Sequence, residues 1–79
     1  MIFDYSKLKG RIIEKLGSQS RFAAAMGWSE RTTSLKMNNA RTWKQSDICK
    51  ASLLLEIKYS EIPEYFFKEK TQNIEQETA

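Results

Sequence analysis

Residues 18–38 read SQSRFAAAMGWSERTTSLKMN, and the spacing inside this stretch decides the fold. Gln19, Ala23 and Gly27 stand at i, i+4 and i+8. Ser18 caps a helix predicted to run from Gln19 to Met26, and Gly27 ends it with a residue that carries no Cβ penalty. Trp28 follows, then Ser29 as a second cap, with Glu30 at the positive end of the helix dipole. The next helix spans Glu30 to about Met37 and stops at Asn38 and Asn39, which tolerate left-handed geometry. Two helices joined this tightly and crossing near a right angle approach only where a small side chain lies at the crossing. Ala23 is that side chain, and Gly27 makes the turn. Phe22, Met26 and Trp28 close the apolar corner.

Outward from this core, Tyr5, Leu8, Ile12 and Leu16 recur at helical steps, with Asp4 as the expected cap and Gly17 as the stop. Downstream, a basic loop at 39–42 leads into a helix running to about Leu55. Its start has two readings, a Thr42/Gln45 capping box or a Trp43/Ile48 hydrophobic staple. Ile48, Ala51, Leu54 and Leu55 are its inward candidates, and Cys49 is read as a small core residue. A short last helix is expected with Ser60 as cap and Pro63 in its first turn, carrying Ile62, Tyr65 and Phe66. From Thr71 on, Ile74 is the one large apolar residue, too little to order a tail. No segment alternates over a strand's length. The pattern predicts an all-α bundle of about five helices with no sheet. It places a helix-turn-helix domain over 1–68, the motif at 18–38, and a polar, flexible tail over 69–79.

The whole chain, 79 residues with a net charge of +3, has room for one small domain. Charge is unevenly placed. Residues 1–58 hold eleven Lys/Arg against five acids, a balance of +6, while 59–79 hold two against five, a balance of −3. Between Gln19 and Lys44 five bases face only Glu30. A basic centre with an acidic tail fits an anionic partner as well as it fits an ordinary solvated surface. One cysteine and no histidine exclude a disulfide framework and a zinc site. There is no phosphate-cradling glycine loop and no acid pair placed for catalysis, so no enzyme, cofactor, metal or small-molecule ligand is expected. The longest apolar run, Leu53 to Leu55, is far short of the ~20 residues a membrane span needs. No signal peptide is visible, and the expected location is cytoplasmic.

Over 18–38 the chain resembles the helix-turn-helix of the lambda-type phage repressors and Cro proteins. The flanking pattern extends the likeness to about residue 67. Gly17 to Ala23, the Trp28-Ser29-Glu30-Arg31 turn and the ending from Pro63 to Phe67 look most like the short Cro-like regulators of phages of low-GC Gram-positive bacteria. One departure is Thr33, where the family usually carries an aliphatic residue. A threonine fits there if its hydroxyl bonds back to a carbonyl one turn earlier.

That resemblance implies a transcriptional repressor, acting in the bacterial host cell, that reads a double-stranded DNA operator through the major groove as a homodimer. A rotation of about 100° per residue puts Thr33 and Met37 on the inward face of the second motif helix, flanked by Glu30 and Lys36. Arg31, Ser34, Leu35 and Asn38 lie opposite and are the base-contacting candidates. Arg31 suits a guanine edge. Leu35 has two readings, a contact to a thymine methyl or packing against Trp43. For the DNA backbone the candidates are Ser18, Gln19, Ser29, Asn39, Arg41, Thr42 and Lys44, Gln19 on the strength of the family likeness. Tyr59, Ile62, Tyr65, Phe66 and Phe67 crowd aromatic area near the end of the domain. They either pack between subunits or cover the first and fourth helices. The rival from another class is a protein-interaction module, an antitoxin or antirepressor, whose helix-turn-helix grips a protein.

Overall fold

The computed structural model describes residues 2–70. Gly17 closes helix α1 (Ser6–Leu16) at φ 93°, its N–H bonding to the Ile13 carbonyl, and Ser18 immediately opens helix α2 (Gln19–Met26) by accepting the Arg21 N–H. Gly27, at φ 78°, ends α2, and Ser29 opens helix α3 (Glu30–Met37) by accepting the Thr32 N–H. Helix α4 spans Gln45–Leu54, a 3-10 turn spans Tyr59–Glu61, and helix α5 spans Ile62–Phe66. Among the described residues there are five α-helices and no strand. The one β-type contact is an isolated antiparallel bridge between Phe3 and Glu69.

The caps of the motif stand where the sequence predicts them, the two expected elsewhere at Asp4 and Ser60 do not, and of the two readings for the start of α4 the structure takes the staple. Tyr5, not Asp4, is the N-cap of α1. The Asp4 carboxylate still accepts the Ser6 N–H at 2.9 Å and the Ser6 hydroxyl. Those two bonds hold its carboxyl below the usual range. Helix α4 begins two residues later than a Thr42 box would set it. Lys44 is its N-cap, and the Asp47 carboxylate accepts the Lys44 N–H at 2.9 Å. Trp43 and Ile48 therefore occupy the two staple positions, and both pack against the core. Ser60 caps nothing, because it lies inside the 3-10 turn. Pro63 has no N–H to return to Tyr59 across an α-helical turn. Ile62 makes the shorter bond to the Tyr59 carbonyl instead, so α5 is entered through a tighter turn.

Leu8, Ile12, Phe22, Met37, Leu55 and Phe66 form the centre of the core, nearly all of their surface withdrawn from water. Burying each contributes about 1.5–3 kcal/mol. Trp43 joins the parts. Its ring centroid lies 6.0 Å from Tyr5, 6.4 Å from Phe22, 5.4 Å from Trp28 and 5.2 Å from Phe66. Its indole N–H donates to the Lys36 carbonyl at 3.2 Å. One loop residue thus ties the N-cap of α1, both motif helices and α5 together. Cys49 does not join this core. Ala51, Ser52 and Leu55 set the inward face of α4, and Cys49 falls on the outer side with Leu53, which is 81% exposed.

The two ends of the described residues are also fastened. The Asn39 side-chain amide accepts the Phe3 N–H at 2.9 Å and donates to the Phe3 carbonyl at 2.8 Å. Asp4 N–H bonds to the Lys68 carbonyl, and Lys70 N–H to the Ile2 carbonyl. Hydrogen-bonded chain therefore continues past the expected boundary at 68 as far as Lys70. The expected tail from Thr71 on lies outside the described residues.

Candidate functional site

Ala23 is buried at the crossing of α2 and α3, and the Trp28 N–H bonds to its carbonyl at 2.9 Å, so the turn is closed by backbone. Thr33 is fully buried, and its hydroxyl donates to the Ser29 carbonyl at 3.0 Å, the bond one turn back that its place on the inner face requires. Across the motif, the Ser20 hydroxyl donates to the Glu30 carboxylate at 3.0 Å. These contacts set the angle at which α3 shows its outer face.

That outer face forms one wall of an open concavity of about 460 Å³. Arg31, Ser34, Leu35 and Asn38, the four base-contacting candidates, all line it, and Gln19 faces them from the start of α2. Glu30 and Ser20 complete the rim. Leu35 is half-buried here and stands outside the aromatic cluster around Trp43. The concavity is polar with little net charge, holding one arginine and one carboxylate.

The residues proposed for backbone contact are less united. The Ser18 and Ser29 hydroxyls accept cap N–H groups, and the Ser29 hydroxyl also bonds to Thr32. Asn39 is a correction: its amide is consumed by Phe3 and its backbone sits at φ 64°, so it serves the fold. Arg41 and Thr42 are exposed beside a second, smaller cavity, and Lys44 is exposed at the start of α4. Only Gln19 of this set lines the concavity. Of the aromatic group expected between subunits, Tyr65 and Phe66 are buried in the core of this one chain, packed where α5 meets α1. Tyr59 is 91% exposed, Phe67 is 49% exposed, and Ile62 is half-buried.

Much of the basic charge is spent inside the molecule. Lys36 points inward, donating to Asp47 Oδ2 at 2.8 Å and to the Thr42 carbonyl at 3.0 Å, with its ammonium 4.8 Å from the centre of a Trp28 ring. Burial by itself would push the Asp47 carboxyl up. The Lys36 and Lys44 hydrogen bonds and the charges of both lysines outweigh it and hold the carboxyl below its usual value. Arg11 donates to the Leu55 and Glu56 carbonyls at the end of α4, and Lys50 to the Met26 carbonyl at the end of α2. Lys7 pairs with Glu64, and Lys15 with Glu56. Counting charges along the chain cannot see this, because each pairing joins residues distant in sequence.

No helix among the described residues is long and apolar enough to cross a membrane, and no group of three metal-ligating side chains is found there. The chain matches no curated protein. It is similar to a protein of known structure, the modulator of repression of the temperate bacteriophage TP901-1 from Lactococcus lactis, determined in solution. The two are 53% identical and superpose with a TM-score of 0.77, over 91% of this chain and 97% of that one. The likeness to phage regulators read from the sequence thus has its counterpart in a modulator of repression. Residues 1–69 match the model of one family, and the chain belongs to it: the family described as protein of unknown function, DUF739.

Proposed function

We propose that this protein modulates repression in a phage regulatory circuit by binding a repressor protein through the concave face of its helix-turn-helix. The observation that carries this reading is the 53% identity, across nearly the full length of both chains, to a modulator of repression. An activity directed at repression has a repressor as its natural target. The chemistry of the face agrees. A DNA-reading surface gains its affinity from several bases set against phosphates. Here Arg31 is the only base lining the concavity, Glu30 sits beside it, and Lys36 is turned inward. Leu35, half-buried among polar lining residues, offers what a protein interface uses, an apolar contact with polar groups around it. In this reading the protein is a binding module without catalysis or cofactor, acting in the cytoplasm of the bacterial host.

The second reading, operator binding as a homodimer, is favoured by Arg31 exposed on the outer side of α3 and by Arg41 and Lys44 exposed just beyond it. Calorimetric titration of the chain with the repressor of bacteriophage TP901-1 separates the two. The protein-partner reading expects a complex that Arg31→Glu and Leu35→Ala each weaken by about tenfold or more. Absence of any complex at micromolar concentrations overturns it.

A further inference from the structure

We infer that the aromatic cavity behind the loop following α3 is a second anchor site, one that takes an aliphatic side chain of the protein partner lying next to a carboxylate that pairs with Arg41. The inference rests on the partner being a protein and extends the contact beyond the groove. The cavity has a volume of about 200 Å³ and is walled by Phe3, Tyr5, Trp43, Phe66 and Phe67. Phe3 and Phe67 meet edge to face at 5.9 Å, and Trp43 and Phe66 at 5.2 Å, so the walls are braced. An apolar cavity of about 150 Å³ is enough to hold benzene, so this one has room for a leucine, isoleucine or methionine side chain.

The rim selects what stands next to that side chain. The Asn39 amide is consumed by the Phe3 backbone, and Arg41 is exposed with no ion pair among the described residues. Aromatic faces attract cations, but a guanidinium at the mouth repels them, which leaves an apolar group with an acidic neighbour as the matching chemistry. The cavity and the surface already described are lined by residues adjacent in the chain. Asn38 lines the concavity of the motif, and Asn39, the next residue, lines this cavity. One partner can fill both.

The test selects short random peptides, displayed on a carrier, against the full chain. Enriched peptides are expected to carry an aliphatic residue beside Asp or Glu, with nuclear Overhauser effects from its methyl protons to the rings of Phe3, Trp43 and Phe67. Arg41→Glu, and Thr42→Trp to crowd the mouth, should each weaken such a peptide by about tenfold or more, while Leu35→Ala leaves it unchanged. Enrichment without that residue pair overturns the proposal, as does binding that follows Leu35 and ignores Arg41. Overhauser effects from the Ile74 methyls to the same rings in the free chain also overturn it, giving the cavity to the chain's own tail. The repressor titration reads Arg31 and Leu35 only, so either result can fail without the other.

Discussion

Lys36 Nζ lies 2.8 Å from Asp47 Oδ2, joining the inner face of α3 to the first turn of α4 with side chains only 7% and 15% exposed. The same carboxylate receives the Lys44 N–H, so one acid both starts α4 and neutralises the cation that α3 turns inward. The pair thus ties α3, which carries the concave face, to the start of α4.

Asp47→Ala leaves the Lys36 ammonium buried without its counter-charge. Removing one partner of a buried pair costs roughly 3–5 kcal/mol, and the partial exposure of Asp47 places this change toward the lower end. Urea denaturation at neutral pH reads it. The pH dependence has a defined sign. Because the folded state holds the Asp47 carboxyl below its usual value, its stabilisation is fully present above the ordinary carboxylate range and is lost as pH falls through the lowered value. The wild type should therefore lose stability on acidification below about pH 4, and Asp47→Ala should lose less over the same interval.

Asn39→Ala and Asn39→Gly separate two roles. Both lose the paired bonds to Phe3, each worth about 1 kcal/mol, and only alanine also meets the left-handed backbone at φ 64°, a strain of about 1–2 kcal/mol. The glycine variant should melt higher than the alanine variant. In both, the Phe3 amide should exchange with solvent faster than in the wild type.

Ser52 is buried, and its hydroxyl has no hydrogen-bond partner in the described structure. Ser52→Ala removes an unsatisfied polar atom and places a better helix former in α4. Stability should rise by about 0.5–1 kcal/mol in a denaturant titration. A loss of 1 kcal/mol or more would mean that the hydroxyl is bonded in solution.

Cys49 lies exposed on the outer side of α4. In the folded protein without denaturant it should react with a disulfide reagent as fast as the unfolded chain does, to within a few-fold. Cys49→Ser should change stability by less than about 0.5 kcal/mol. Protection of the thiol until the protein unfolds would return Cys49 to the core.

Local signals carried the motif. Ser18, Gly17, Ser29 and Gly27 act through neighbours within a turn, and Thr33 satisfies its own hydroxyl four residues back. Spacing along the chain is enough to read such residues. The misreadings share a different cause. Asp4 and Ser60 are capping types whose neighbours, Ser6 and Pro63, shift the first helical residue. Cys49 follows Ile48 and stands two residues before Ala51, but helical rotation points it outward with Leu53. Lys36 with Asp47 and Asn39 with Phe3 are tertiary pairs, eleven and thirty-six residues apart, that no periodicity announces. The same blindness affected the functional reading. Lys36 adds to a basic stretch when counted along the chain, and in the fold it neutralises Asp47. The groove side chains Arg31, Ser34, Leu35 and Asn38 were legible from rotation alone, but rotation does not say whether DNA or a protein meets them.

The most direct test of the account follows the fluorescence anisotropy of a labelled operator duplex, with the chain alone and with the chain added to the repressor of bacteriophage TP901-1. The account predicts weak binding of the chain alone, with little preference between the operator and a scrambled duplex. It also predicts a change in the repressor–operator titration that saturates with added chain and is lost in Leu35→Ala. Tight, sequence-selective binding of the chain alone, falling steeply with salt, together with an unchanged repressor titration, would contradict it and establish an operator reader.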